Sequence, residues 1–231
     1  MTLVTLTTLL GGLAKENALL APWLLMVIEV IFFQFRAGGQ VNTVFRGAFV
    51  LALTLPLLIA TLYLSVVHPD SMQEMYAIRE FTLAERLLTQ AKVLWLYLYW
   101  LVVPSAPASG LHHDDIAIAR SLWEPLVAVS VIAWAAIVAV LIPACARRLP
   151  LVAFAFAWYL VAHGMESSIL PLEMVYEHRN YAAILGFAVL LADALWMLFR
   201  RRPGNAFGLS LTVLVGGILL IPLAMRANLW G

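Results

Sequence analysis

Side chains that can hold a phosphate group or move a proton are collected in four short segments of this sequence. These are Lys15-Glu16-Asn17, His112–Asp115, Glu166–Ser168 and Glu177–Arg179. Arginine makes planar, two-pronged contacts with phosphate, and histidine exchanges a proton near neutral pH. Carboxylates can act as general bases. The four segments therefore contain the residue types needed to bind an anionic group and to activate a hydroxyl.

The segment His112–Asp115 has two alternative interpretations. Its carboxylates, Asp114 and Asp115, are the candidates for a catalytic base in this chain. Two imidazoles and two carboxylates are also possible ligands of a divalent cation, but adjacent side chains rarely point at one metal ion. We therefore predict no metal site. The alternative without a functional role is a solvated loop in which Asp114 or Asp115 caps the N-terminus of a helix.

The composition indicates the kind of protein that must position these segments. Of 231 residues, 64% are hydrophobic and 12% are charged, the mean hydropathy is +0.94 and the net charge is +1. Soluble domains are about half apolar and one-quarter charged. These values exclude a soluble globular enzyme, a disordered chain and a nucleic-acid binder. A single cysteine, Cys145, excludes a disulfide scaffold and a cysteine-based zinc site.

Six apolar runs are long enough, or nearly so, to cross a membrane, which predicts an all-α polytopic membrane protein forming one domain over residues 1–231. A shorter run, Leu3–Ala14, is interpreted as the remnant of a further helix. The six predicted spans are Ala18–Phe35, Ala48–His68, Leu122–Ala144, Leu149–His163, Tyr181–Phe199 and Phe207–Met225.

The distribution of arginine predicts the orientation of these spans. Arg147-Arg148, Arg200–Arg202, and Arg36 with Arg46 occupy three turns, which the positive-inside rule places in the cytoplasm. The opposite turns, including the outer loop 164–180 and the C-terminus, then face the periplasm. Glu29 and Asp193 fall inside spans, in their cytoplasmic halves, where we expect structural pairing near Arg36 or Arg200.

The segment Thr82–Val103 is apolar enough to resemble a span, but a crossing there would place later arginine turns outside. Glu85, Thr89 and Lys92 recur on one helical face, which Arg86 and Gln90 widen. We therefore predict a helix that lies in the outer membrane interface at 82–103. A re-entrant hairpin is the competing geometry.

Four sequence blocks, in this order and spacing, resemble the transmembrane and tetratricopeptide-repeat O-mannosyltransferases and their bacterial relatives. The blocks are Ala14–Ala18, Leu87–Val93 continuing through Tyr97 and Tyr99 to Pro104, Leu111–Asp115, and Trp158–Tyr181 with its Glu166–Leu172 and Glu177–Tyr181 motifs.

The resemblance implies a membrane glycosyltransferase of the GT-C type, which moves a sugar from a polyprenyl-phosphate donor on the outer face of the membrane. It implies that Arg179, His178 and Lys15 bind the donor phosphate, and that Glu16, Glu166 and Glu177 support that pocket. The acidic catalytic loop of the family precedes the Lys-Glu-Asn turn and has no counterpart here. The chain is therefore expected to be the C-terminal membrane portion of such an enzyme, and activity on its own remains open.

Two other functions stay open at this point. One is a non-catalytic membrane subunit or scaffold for a glycosyltransferase or a cell-envelope complex, and the other is a small transporter or lipid flippase. We expect no cofactor other than the lipid-linked sugar substrate. The expected partners are membrane lipid, polyprenyl phosphate, a protein or glycan acceptor, and a missing N-terminal half or partner subunit, but no nucleic acid. The expected location is a bacterial inner membrane.

Overall fold

The computed structural model is mostly helical, as the hydropathy predicts. It describes residues 7–8, 10–13, 15–66, 70–102, 116–175, 180–201, 210, 213 and 216–217.

The helices are numbered in chain order. A 3₁₀ turn, Glu16–Leu20, leads into α1, and a π-helical turn, Glu29–Phe33, extends it. A second π-helical turn, Ile137–Leu141, joins α5 to α6. A short antiparallel hairpin pairs two strands of two residues each, Arg36–Ala37 and Gln40–Val41. The helices are α1 Ala21–Ile28, α2 Thr43–Val66, α3 Ser71–Ala77, α4 Leu83–Val102, α5 Pro125–Ala136, α6 Ile142–Arg148, α7 Pro150–Ala162, α8 Asn180–Ala183 and α9 Leu185–Arg201.

Three of the described helical segments are long and apolar enough to cross a membrane: Thr43–Tyr63, Pro125–Arg148 and Asn180–Leu198. Two shorter apolar helices, Asn17–Phe33 and Pro150–Ala162, accompany them. These five segments overlap five of the six predicted spans. The sixth predicted span, Phe207–Met225, lies almost wholly outside the described residues. A membrane protein with three candidate spans is therefore supported, and six spans stay a prediction.

Helix α7 lies at the centre of the packing and contacts α1, α6 and α9. Its small residues Ala153 and Ala155 are completely buried, which lets neighbouring backbones approach closely. Gly186 of α9 packs against the Ala155 backbone, and Trp158 donates a hydrogen bond from Nε1 to the Ala182 carbonyl at 2.8 Å. These contacts hold α8 and the start of α9 against the last turns of α7.

An aromatic cluster fastens α4 to α5 and α7. Trp134 stacks on Trp95 with ring centroids 4.3 Å apart, and its Nε1 donates to the Ala91 carbonyl at 3.0 Å. Tyr159 is fully buried and donates its hydroxyl to the Leu94 carbonyl at 2.5 Å. Because buried Trp and Tyr bring both apolar area and a polar group that needs a partner, these bonds fix where α4 lies.

Glu29 stabilises the turn that follows α1. Its Oε1 accepts a hydrogen bond from the Phe35 amide at 2.9 Å. Gln34 and Phe35 both have φ of 56°, a left-handed conformation that side chains other than glycine rarely adopt. The structural role predicted for Glu29 therefore takes the form of a backbone cap, in place of the expected pairing near Arg36. The cap offsets part of the cost of this turn.

Candidate functional site

Helix α4 buries its polar face in the protein. Arg86, Thr89 and Gln90 are buried, together with Val93 and Tyr97, at the spacing of one helical stripe. Leu87, by contrast, is 42% exposed. A helix at the membrane interface is expected to turn its polar face to water. Here that face is covered by residues 163–175, the segment that we call the polar loop. The interfacial position of the helix stays a prediction.

Arg86 is the main contact between α4 and the polar loop. Its side chain is fully buried and donates to the carbonyls of Glu166 at 2.7 Å and of Ser168 at 3.2 Å, and also to the Leu172 carbonyl. A guanidinium group carries five N–H donors and replaces its lost hydration only when several acceptors surround it. The polar loop wraps round the guanidinium to provide those acceptors. Arg86 therefore fixes the loop backbone on both sides of Pro171.

Gln90 makes a second connection one turn further along α4. Its amide nitrogen donates to the Met174 carbonyl at 2.8 Å, and its amide oxygen accepts from the Ser167 hydroxyl at 2.9 Å. Thr89, beside it, accepts the amide of Ala119 at 2.9 Å and so places residues 116–121 against the same helix. Three polar residues on one face of α4 thus organise two separate loops.

The Lys15–Asn17 turn is in contact with the polar loop, although 149 residues separate them. The amide nitrogen of Asn17 donates to Oε1 of Glu166 at 2.8 Å, and Glu166 is only 7% exposed. Lys15 itself is exposed. A partly buried carboxylate–amide contact next to an exposed lysine gives this turn a fixed anchor and an accessible positive charge.

His163 and Asn180 tie the end of α7 to the start of α8. The His163 ring is 1% exposed and stacks on Tyr97 with centroids 5.0 Å apart. Its Nε2 lies 3.3 Å from the Asn180 side-chain oxygen, and the Asn180 amide donates to the Tyr97 carbonyl at 3.2 Å. Asn180, which directly follows Arg179 in the sequence, is therefore held against α4.

Helix α3 contacts the polar loop from its other side. The Tyr76 hydroxyl donates to the Ile169 carbonyl at 2.7 Å, and Arg79 forms an ion pair of 2.6 Å with Glu173. Burial raises the pKa of the Tyr76 hydroxyl, and the positive charge of Arg86 offsets part of that increase. The phenol therefore stays a neutral donor at physiological pH.

Of the predicted site residues, the structure describes Lys15 and Glu166, and the backbone of Glu16 in the 3₁₀ turn. It brings the Lys15–Asn17 turn and Glu166 together. The remaining candidates lie outside the described residues: Asp114, Asp115, Glu177, His178 and Arg179. Among the described residues, no group of three histidine, cysteine or acidic side chains is placed to hold a metal ion.

Sequence reasoning did not assign a role in the site to Arg86 and Gln90. The available signal was a run of polar residues on one face of an otherwise apolar helix, which in a membrane protein indicates a face turned towards protein or a water-filled cavity. A second overlooked signal is the capping box Thr82–Glu85. Glu85 accepts a hydrogen bond from the Thr82 amide at 2.8 Å. This bond and, to a smaller extent, the bond from the Thr82 hydroxyl lower the pKa of the Glu85 carboxyl.

Comparison of the chain with known proteins gives no match to a protein-family model, to a curated protein or to a solved structure. The resemblance to the O-mannosyltransferases therefore rests on the four sequence blocks and stays a prediction.

Proposed function

We propose that this chain is the lipid-phosphate-binding part of a membrane glycosyltransferase that uses a polyprenyl-phosphate sugar. The observation that supports it best is the contact between Asn17 and Glu166, because it joins two of the segments expected to form the donor site. The block that begins at Leu87 adds a third segment, because its Gln90 bonds to the same polar loop. Arg86, directly before that block, bonds to the loop as well. Sequence blocks far apart in the chain thus converge on one loop.

In this proposal the basic residues bind the phosphate that leaves. The bond between the anomeric carbon and the phosphate oxygen breaks, the electron pair stays on the phosphate, and the acceptor oxygen bonds to the same carbon. Lys15, His178 and Arg179 stabilise the negative charge that develops on the leaving group. Glu16, Glu166 and Glu177 support the pocket, and Glu166 does so by holding Asn17. A carboxylate takes the proton of the acceptor hydroxyl.

The source of that carboxylate distinguishes two forms of the proposal. Asp114 or Asp115 is the candidate within this chain, and an acidic loop of a missing N-terminal half or partner subunit is the other. In both forms Lys15, His178 and Arg179 bind the donor, and a different segment provides the carboxylate that accepts the proton.

The proposed setting is a bacterial inner membrane with six spans, and with the polar loop in the periplasm. The geometry of α7 supports the placement of the basic Arg147-Arg148 turn and the polar loop on opposite sides of the membrane. Arg147 and Arg148 end α6 just before α7, and the polar loop begins just after it. A helix of 13 residues has a length of about 20 Å at a rise of about 1.5 Å per residue. The basic turn and the polar loop therefore lie at opposite ends of a helix that covers about two-thirds of a hydrocarbon core of about 30 Å.

A non-catalytic subunit is the second candidate, and one observation favours it. Arg86, Gln90, Asn17 and Glu166 direct their polar groups into hydrogen bonds within the protein. A polar network of this kind can exist for rigidity alone. Binding of polyprenyl phosphate separates the two candidates, because only the first requires it.

The test is the binding of undecaprenyl phosphate to the purified full chain in nanodiscs. We expect Arg179→Ala and Lys15→Ala each to weaken binding by about 10- to 100-fold, since each removes a charge-assisted hydrogen bond. Arg147→Ala, at the basic end of α6, is the matched control and should leave the affinity unchanged. Equal binding by the three variants and the unaltered chain would remove Lys15 and Arg179 from the site, and absence of binding by the unaltered chain would favour the subunit.

A further inference from the structure

A groove lies between α3 and the first turn of α4, outside the contact between Asn17 and Glu166. Its volume is about 670 Å³, which falls in the range of small-molecule sites. Tyr76 and Phe81 form its aromatic wall, with ring centroids 6.1 Å apart and planes at 82°. The Arg86 guanidinium lies 5.8 Å from the Phe81 ring centre and holds that ring in place.

The charges in the groove disfavour an anionic ligand. Among the residues that line it, Glu80 and Glu85 are acidic and Arg79 is basic. The Arg79 charge is already paired with Glu173 at 2.6 Å. The Glu85 carboxylate is likewise engaged, by Thr82 and Arg120. A phosphate would therefore meet the exposed Glu80 carboxylate and a lining cation that is engaged elsewhere. The groove is thus chemically different from the proposed donor site.

The polar rim of the groove suits hydroxyl groups. Gln73 and Glu80 are exposed at the groove, and together they provide both donors and acceptors. A pyranose ring has a face of C–H bonds, which packs on aromatic rings, and an edge of hydroxyls, which need such partners. An aromatic wall with an amide and a carboxylate beside it matches both surfaces of a sugar.

We propose that this groove binds a neutral oligosaccharide, and that it is the acceptor subsite of the transferase. The second part rests on the proposed function. The groove shares its wall with the polar loop, because Tyr76 bonds to the Ile169 carbonyl and Arg79 pairs with Glu173. A glycan in the groove therefore lies beside the loop that carries Glu166, which is expected to support the donor pocket.

The test is saturation-transfer NMR on the full chain in nanodiscs, with maltotetraose, cellotetraose and chitotetraose as probes. We expect saturation of the ring C–H protons of at least one probe. Glu80→Ala and Gln73→Ala should each weaken that binding about five- to tenfold, the effect of losing one hydrogen bond. Glu74→Ala is the matched control, because Glu74 is an exposed carboxylate of α3 that does not line the groove.

Absence of saturation on all three probes, or equal binding by the Glu80→Ala and Glu74→Ala variants, would overturn the saccharide site. Binding of trilysine in place of the sugars would also overturn it, and would mark the groove as a site for a cationic peptide. Undecaprenyl phosphate binding is measured on the same preparations. Loss of sugar binding alone contradicts this inference, whereas absence of lipid-phosphate binding with sugar binding intact contradicts the proposed function.

Discussion

Replacement of Arg86 by alanine is expected to lower the free energy of unfolding by about 3 to 5 kcal/mol, because each buried acceptor left without a partner costs about 1 to 3 kcal/mol. The change removes the donor for three backbone carbonyls of the polar loop, those of Glu166, Ser168 and Leu172. It also leaves a cavity where a fully buried side chain lies. Arg86→Lys should recover only part of the loss, since one ammonium cannot reach acceptors spread round a planar guanidinium.

Reversible unfolding in mixed micelles measures this effect, with Arg120→Ala as the control. The Arg120 side chain is 74% exposed and lies 3.5 Å from Glu85, and exposed pairs contribute at most about 1 kcal/mol. If the Arg86→Ala protein were as stable as the Arg120→Ala protein, the polar loop could not depend on the guanidinium.

Replacement of Gly186 by alanine is expected to destabilise the protein by about 1 to 3 kcal/mol, as overpacking does in other cores. The added Cβ would lie 2.9 Å from Cα of Ala155 and 3.1 Å from both the Ala155 carbonyl oxygen and Cβ of Trp158. Two of these atoms belong to the backbone, so relief requires α9 to move away from α7. That movement would also strain the bond from Trp158 to Ala182, which holds α8.

The matched control for this change is Gly47→Ala in α2. Apart from the adjoining backbone of its own helix, no atom of the described residues lies within 4 Å of the position of its added Cβ. Alanine in a helix is favoured over glycine by about 0.5 to 1 kcal/mol, so this variant should be slightly more stable. Thermal unfolding of the two variants side by side checks the sign of each effect. A Gly186→Ala protein that gained stability like Gly47→Ala would contradict close packing between α7 and α9.

Much of the helical framework could be predicted from hydropathy alone. The segment expected at Thr82–Val103 is the helix Leu83–Val102, and the run expected at Leu149–His163 is the helix Pro150–Ala162. Local signals account for this agreement, since proline at the first helical position and long apolar runs act within a few residues. The backbone cap by Glu29 was not predicted, because no glycine marks the left-handed conformation of Gln34 and Phe35. The short hairpin that follows was not predicted either, although its turn residues Gly38 and Gly39 both have positive φ and are a local signal for it.

The arrangement of the candidate site could be predicted only in part. The polar segments themselves were recognised, since charged residues between apolar runs are easily seen. That the Lys15–Asn17 turn and Glu166 belong to one pocket was implied by the family resemblance, whereas local sequence patterns carry no such information, because Asn17 and Glu166 are 149 residues apart. Sequence periodicity placed Arg86 and Gln90 on one helical face but did not reveal the loop that covers it. A buried arginine surrounded by carbonyls is a product of tertiary packing, and local propensity carries no signal for it.

The most direct test of the proposed donor site is photo-crosslinking with a polyprenyl phosphate that carries a photoreactive group next to the phosphate. The lipid is supplied only to the outer leaflet of oriented vesicles containing the full chain, and the modified peptides are identified by mass spectrometry. We predict that the label is found on the Lys15–Asn17 turn and on the polar loop. Labelling confined to the arginine turns around Arg36 or Arg147 would contradict both the site and its orientation.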